Sequence, residues 1–161
     1  MSELVNGFDV SIVDHKASRV GPARIEIAYQ RLGNSDAPVV LLIMGLAAQS
    51  IHWPDGVCHA LVEHGLQVVR FDNRDAGLST HLTDAPPPDL PGALAGDLSS
   101  VSYTLSDMAA DTVGLLDVLG LGKAHVVGAS MGGAIAQTMT IEHPDRVRSL
   151  TSMMSTTEIC Q

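Results

Sequence analysis

The chain has 161 residues, which is the size of one domain with room for a hydrophobic core. Its formal net charge of −9, with no basic cluster to offset it, makes nucleic acids and anionic membrane surfaces poor partners. No apolar run reaches the roughly 18 residues that cross a bilayer, and the first residues lack a signal-peptide pattern. We therefore expect a cytoplasmic protein. Two cysteines are too few for a disulfide framework or a zinc site. We expect no metal and no cofactor.

The first part of the chain predicts an antiparallel hairpin followed by a buried strand. Residues 8–14 and 24–31 alternate between apolar and polar, with Gly21 and Pro22 as a turn signal between them. Residues 39–44 are apolar without interruption, which is typical of a parallel strand buried on both faces.

A helix and a second buried strand follow. Trp53 and Pro54 are predicted to open the helix, with the proline at an early helical position, and the helix reaches about His64. Residues 67–71 predict the strand. Four prolines in residues 83–96 indicate an irregular surface loop, either a simple connection or a border of the active site.

The last elements complete an alternating strand and helix order. Thr104 and Asp107 have the spacing of a capping box, and a helical apolar pattern continues from them. Residues 124–127 predict a strand, 133–142 a helix, and 147–154 a last buried strand. This order predicts a mostly parallel, three-layer α/β sheet with active groups beyond the carboxyl ends of its strands.

Residues 128–132 read Gly-Ala-Ser-Met-Gly, a G-x-S-x-G motif between a predicted strand and a predicted helix. This context is typical of a nucleophile elbow, in which Ser130 is exposed at a sharp strand-to-helix turn. Glycines flank the serine because a Cβ there would collide with the neighbouring strand or helix. The amides at the start of the following helix would stabilise an oxyanion at the same place.

With these segments in register, the sequence resembles the α/β-hydrolase superfamily, and more narrowly the bacterial esterases of the aclacinomycin-methylesterase and cofactor-free haloperoxidase kind. The resemblance extends from about residue 8 to residue 157. Besides the hairpin, the segments that carry it are 44–46, 70–79, 128–133 and 143–147.

The resemblance implies a role for several residues. Ser130 would be the nucleophile, and the backbone N–H groups of Met131 and Leu46 would form the oxyanion hole. Many relatives have a histidine where this chain has Met44, but the donor is a main-chain group and the replacement leaves it available. The residues expected to bind substrate are Gly45, His52 and Trp53.

The rest of a catalytic triad is harder to place. Relatives take the acid and the histidine from sequence after the serine. His143 ends the helix that begins at the serine, about 20 Å away, and His125 begins the strand that leads to it, so distance excludes both. His52 and His81 follow loops on the carboxyl side of the sheet and stay open as candidates. The histidines predicted to be surface residues are His15, His59 and His64.

Three acidic residues lie near the predicted site. Asp72 and Asp75 are interpreted as loop hydrogen-bonding residues beside Arg74, and Glu158 lies just past the last predicted strand. The chain therefore resembles a single, incomplete α/β-hydrolase core domain over residues 1–161, lacking the last two strands. Its acid and histidine are expected from sequence absent here.

The leading hypothesis is a serine hydrolase that acts on a small-molecule carboxylic ester. The alternative is a truncated, inactive structural or ligand-binding protein with the same fold. Nucleotide binding is disfavoured because Ser130 stands where a G-x-G-x-x-G motif needs glycine. Residues 147–154 would form an exposed sheet edge, which predicts pairing with a C-terminal fragment or a second copy.

Overall fold

A six-stranded sheet organises the part of the chain that the computed structural model describes, which is residues 4–5, 8–9, 13–87, 89, 91–92 and 95–156. The strands are β1 (Leu4–Val5), β2 (Phe8–Asp9), β3 (His15–Val20), β4 (Ile25–Leu32), β5 (Val39–Ile43), β6 (Gln67–Phe71), β7 (Ala124–Ala129) and β8 (Val147–Met153). The helices are α1 (Asp55–Glu63), α2 (Leu105–Val118) and α3 (Met131–Glu142), with short 3-10 turns at Ser50–His52 and Pro144–Arg146.

The strand order is β3-β4-β6-β5-β7-β8, and it confirms the predicted mixed sheet. Strands β6, β5, β7 and β8 are parallel, whereas β4 pairs antiparallel with both β3 and β6. Every residue of β5 and β6 is buried, as the uninterrupted apolar pattern of β5 predicts. The carboxyl ends of the four parallel strands therefore meet at one edge of the sheet.

Helices cover both faces of the sheet, which confirms three layers. On one face, helix α1 packs through Cys58 and Val62 against residues that include Val40 and Val68. On the other face, helices α2 and α3 pack against β5, β6 and β7 through Leu115, Leu116, Ile135, Ala136 and Met139. No helix in the described ranges is long and apolar enough to cross a membrane.

The hairpin is present, but its first strand was predicted too early. Strand β3, rather than residues 8–14, pairs with β4, and Phe8–Asp9 pairs with Leu4–Val5. Strand β3 contributes Ala17 and Val20 to the core, and this burial fixes its pairing with β4. Residues 10–12 of the predicted strand lie outside the described residues. The turn prediction is confirmed by Gly21, which has a φ of 61°.

One helix begins where its capping residues predict, and two begin at residues other than those predicted. Thr104 and Asp107 form the expected capping box at the start of α2. Pro54 is the N-cap of α1 rather than a residue inside it. Helix α3 begins at Met131, two residues earlier than predicted, directly after the serine.

Strand β8 is the edge strand that the sequence predicts, but it is not buried. Residues 148–152 are all exposed, and only the two ends of the strand are partly covered. The prediction of burial was wrong because β8 pairs with β7 on one side only and an edge position leaves its other side open.

A buried arginine on β6 connects the hairpin to helix α1. Arg70 is 1% exposed. Its Nε donates to Gln30 Oε1 at 2.5 Å, its Nη1 donates to the carbonyl of Trp53, and its Nη2 donates to Asp55 Oδ1 at 2.7 Å. Burial raises the pKa of the neighbouring Cys58 thiol, and the guanidinium partly offsets that effect.

Replacement of Arg70 by methionine is expected to destabilise the fold by about 3 kcal/mol, because Gln30 and Trp53 would keep buried acceptors without a donor. The pair with Asp55 adds little, since that carboxylate is largely exposed. Denaturant unfolding measures the change. The matched control, Arg148→Met, removes an exposed guanidinium and is expected to stay within about 0.5 kcal/mol of the parent. An equal decrease in the free energy of unfolding in the two variants would contradict the role given to Arg70.

Candidate active site

Ser130 lies at the carboxyl end of β7 and is the N-cap of α3. Its backbone has a φ of 54° and a ψ of −124°, a conformation that costs a residue with a side chain about 1–3 kcal/mol. Two backbone contacts hold it there. Its N–H donates to the carbonyl of Met153 at 2.8 Å, and its carbonyl accepts from Gly133 N at 2.8 Å. The residue is exposed, so the strained turn presents the hydroxyl to solvent.

Glycines allow the chain to turn this sharply. A Cβ on Gly128 would overlap the Gly132 carbonyl and lie 2.6 Å from Gly133 N. A Cβ on Gly132 would overlap the carbonyl of Ile43 and lie 2.7 Å from Met44 O. Strand β5, the end of β7 and the first turn of α3 are thus in backbone contact around Ser130. Both glycines of the motif are required sterically, as the sequence predicts.

The loop after β5 lies directly beside the serine. A Cβ on Gly45 would lie 3.0 Å from Ser130 Cβ and 3.5 Å from its Oγ. Gly45 O accepts a hydrogen bond from Ala48 N at 3.3 Å, and Ala47 in the same turn has a φ of 53°. Leu46, within the turn, is 75% exposed. Its amide is therefore in a fixed turn one residue from the contact with Ser130.

Two residues that follow β6 hold this loop. Asn73 Nδ2 donates to Met44 O at 2.9 Å, and Asp72 Oδ1 accepts from Ser50 N at 2.7 Å. The other carboxylate oxygen of Asp72 accepts from Leu78 N at 2.9 Å. Asp72 and Asn73 are both buried. The interpretation of Asp72 as a loop hydrogen-bonding residue is confirmed.

Sequence reasoning did not connect Asp72 and Asn73 to the loop after β5. The glycine at position 77 was the one signal in the sequence. In the structure Gly77 has a φ of 53°, and a Cβ there would overlap the Asp72 carboxylate. The pairing with Ser50 and Met44 is not readable from spacing, because it joins residues 22 and 29 positions apart.

Arg74 points to a different part of the fold. Its Nε donates to Asp111 Oδ2 of helix α2 at 2.6 Å, with both side chains buried. The guanidinium lies 4.9 Å from the ring centroid of Tyr103. Burial, with a hydrogen bond to Asp75, raises the pKa of Tyr103 to about 12. Arg74 thus connects the loop after β6 to α2 through its salt bridge with Asp111, and it does not pair with Asp72.

None of the seven histidines, all of which lie in the described ranges, is hydrogen-bonded to Ser130. His125 pairs with Ser149 near the amino end of β7, at 2.8 Å, and His143 is the C-cap of α3. The two open candidates are engaged locally. His52 Nδ1 lies 3.1 Å from Gln49 O, and His81 Nε2 lies 3.0 Å from Gly77 O.

The three histidines predicted on the surface differ from one another. His15 is exposed as predicted, at the start of β3, and its ring centroid is 5.4 Å from that of Tyr29. His64 is exposed as predicted. His59 is half-buried, and its Nε2 is buried with no hydrogen-bond partner in the described part of the chain.

The remaining predicted site residues fall in two environments. His52 is exposed beside the loop after β5, whereas Trp53 is only 7% exposed and packs in the cluster beneath α1. Met131 is half-buried as the first residue of α3, so its amide belongs to the helix turn whose N–H groups have no helical acceptor. Glu158 lies outside the described residues. Substrate binding by Gly45, His52 and Trp53 stays a prediction.

A family model described as the alpha/beta hydrolase fold matches residues 38–160. With the strand order, the three layers and the strand-to-helix turn at Ser130, this match shows that the chain belongs to the α/β-hydrolase family.

Curated relatives give a narrower comparison. The chain is 36% identical over 121 residues to the rhodomycin D methylesterase of Streptomyces peucetius, and the match covers 74% of this chain and 35% of that protein. A rhodomycin D methylesterase of a second Streptomyces strain is 34% identical over 121 residues, and that match also covers 74% of this chain and 35% of that protein. The chain therefore spans about a third of the length of these curated relatives.

Solved structures show the same fold. The enol-lactonase of Burkholderia xenovorans superposes with a TM-score of 0.69 at 25% identity, over 88% of this chain and 46% of that one. A hydrolase of Pseudomonas aeruginosa gives a TM-score of 0.72 at 23% identity, over 92% of this chain and 48% of that one.

The glycine contacts at the turn give a stability prediction. Gly132→Ala is expected to destabilise the fold by about 4 kcal/mol or to prevent folding, because the new methyl group meets backbone carbonyls that cannot move aside. The matched control is Gly122→Ala, where a Cβ would meet nothing within 4 Å, and it is expected to change stability by less than about 1 kcal/mol. Denaturant midpoints measure both. Similar midpoints for the two variants would show that the backbones do not approach this closely.

Proposed function

We propose that this chain carries the nucleophile and the oxyanion hole of a serine hydrolase that acts on a small-molecule carboxylic ester. Ser130 Oγ attacks the ester carbonyl, and the backbone N–H groups of Met131 and Leu46 bind the oxyanion that develops. The acyl group moves to Ser130 as the alcohol leaves, and water then releases the acid and regenerates the serine.

The observation that carries the proposal is the strained, exposed position of Ser130. A φ of 54° is unfavourable for serine, and the fold holds it with two backbone hydrogen bonds and two glycines that admit no Cβ. A residue that served only to connect β7 with α3 would not need this conformation. Strain of this kind concentrates at functional sites, where it aims a reactive group.

The two amides support the same chemistry. Met131 N lies in the first turn of α3, where the helix dipole favours negative charge. Gly45 borders Ser130, and Leu46 follows it in a hydrogen-bonded turn. Two backbone donors that converge on the developing oxyanion are the usual means of stabilising a tetrahedral intermediate.

The general base and the acid are proposed to come from sequence beyond this chain. No histidine in the described part of the structure is hydrogen-bonded to Ser130, and a serine hydroxyl needs an adjacent base to become nucleophilic. The methylesterase relatives are about three times as long as the stretch that matches them. Strand β8, whose outer edge is unpaired in the described sheet, is the proposed contact for such a segment or for a second copy.

The substrate is proposed from the comparisons. The name of the Streptomyces relatives says that they act on a methyl ester, and the name of the Burkholderia neighbour says that it acts on an enol-lactone, a cyclic ester. Both contain the ester carbonyl that an exposed serine attacks. The alternative is an inert structural or ligand-binding protein, which is favoured because no histidine is hydrogen-bonded to Ser130 in the described structure.

A fluorophosphonate probe tests the proposal because it reacts with activated serines. We expect slow labelling of the chain alone, and labelling at least about 100-fold faster when the C-terminal segment of the methylesterase relative is added, since a positioned base contributes about that much. Ser130→Ala should abolish labelling, and Ser106→Ala, which changes a surface serine of α2, should leave it unchanged.

Mass spectrometry of the labelled peptide identifies the modified residue. A label on any serine other than Ser130 would contradict the proposal. An absence of labelling both with and without the added segment would favour the inert ligand-binding protein.

A further inference from the structure

The peptide group that joins Met44 to Gly45 is held by a side chain from the next strand. Asn73 Nδ2 donates to Met44 O at 2.9 Å, and Asn73 is only 4% exposed. In a trans peptide the N–H points opposite to the C=O, and the described chain has no cis peptide bond. A fixed Met44 carbonyl therefore fixes the plane of the peptide that enters the loop after β5.

The next peptide is fixed by the turn that follows. Gly45 O accepts from Ala48 N at 3.3 Å, so the Leu46 N–H points to the opposite side of its own peptide plane. Ala47 has a φ of 53°, which is unfavourable for alanine, so the turn needs support from its surroundings. Without an anchor at Met44, the turn would relax toward less strained conformations, and the Leu46 amide would rotate with it.

The far end of the loop is anchored by the adjacent residue. Asp72 Oδ1 accepts from Ser50 N at 2.7 Å, and Asp72 is 5% exposed. Its other oxygen accepts from Leu78 N at 2.9 Å. Two consecutive residues after β6 thus hold the two ends of the loop that carries Leu46. Neither side chain is hydrogen-bonded to Ser130 in the described structure.

We propose that Asn73 is a positioning residue for the oxyanion hole. It fixes the Met44–Gly45 peptide and, through the turn, aims the Leu46 N–H at the carbonyl oxygen of the ester, while Asp72 closes the loop at Ser50. The inference rests on the proposed function, because it assigns Asn73 to the same reaction at Ser130. Asn73 is hydrogen-bonded to Met44 and not to Ser130 in the described structure.

The variants separate positioning from folding. Asn73→Ala removes the donor. Asn73→Asp keeps the shape, but an ionised carboxylate accepts hydrogen bonds only and faces the Met44 carbonyl oxygen. A protonated carboxyl donates again, so the defect of Asn73→Asp should shrink as the pH falls. The control is Asn34→Ala, since Asn34 also makes one side-chain hydrogen bond with the backbone, in which its Oδ1 accepts from Asp36 N, but at the opposite edge of the sheet.

The experiment measures fluorophosphonate labelling of Ser130 in the chain complemented with the C-terminal segment described above. Asn73→Ala is expected to lower the rate constant at saturating probe by about 10- to 100-fold, because one oxyanion donor is misplaced. The probe concentration for half-maximal rate should stay within about twofold, since the substitution changes a positioning residue and not the nucleophile or the residues expected to bind substrate. For Asn73→Asp, the rate relative to the parent should rise from about pH 8 to about pH 5.

Hydrogen exchange of the Ala48 amide gives a readout that does not depend on reactivity, and it should accelerate in Asn73→Ala and not in Asn34→Ala. The inference is overturned if Asn73→Ala is labelled at the parent rate, or if the labelling rate falls as much in Asn34→Ala as in Asn73→Ala. If Asn73→Ala does not fold, the pH dependence of Asn73→Asp tests the inference instead. A labelling rate relative to the parent that does not change with pH overturns the inference. A parent protein that is not labelled at Ser130 overturns the proposed function and this inference with it.

Discussion

The backbone contact between β5, β7 and α3 is the constraint on which the rest of this structure depends. At Gly128 and Gly132 the chain turns from strand to helix with no room for a Cβ, because carbonyl groups of the turn and of β5 occupy that space. The contact forces Ser130 to a positive φ and exposes it, and it brings the loop after β5 alongside. One steric requirement thus sets both the geometry of the fold's centre and the position of its reactive group.

Polar residues of β6 and of the loop that follows it connect this centre to the surrounding elements. Arg70 joins the hairpin to α1, Asp72 and Asn73 join the loop after β5 to the loop after β6, and Arg74 joins that loop to α2. All four side chains are buried. A buried polar group stabilises a structure only when its partners are in place, so these residues favour one arrangement of the loops over others. The edge strand β8 lies outside this network and is exposed.

Much of the fold was predictable because its signals are local. The uninterrupted apolar run of β5, the capping box of α2 and the G-x-S-x-G turn each depend on neighbouring residues. The pairing partner of a strand is not local. The first strand of the hairpin was predicted too early because residues 8–14 alternate between apolar and polar, whereas β3 has one buried residue in three and an irregular register with β4.

The sequence by itself determined the order of strands and helices, the glycines of the turn and the serine between them, because the pattern of side chains along the chain encodes these directly. Only the tertiary structure decided that Asn73 and Asp72 hold the loop of Leu46, that Trp53 is buried and that β8 is exposed. Hydrogen bonds between residues more than twenty positions apart, and burial at the edge of a sheet, depend on how the elements pack, and no spacing within one segment records that.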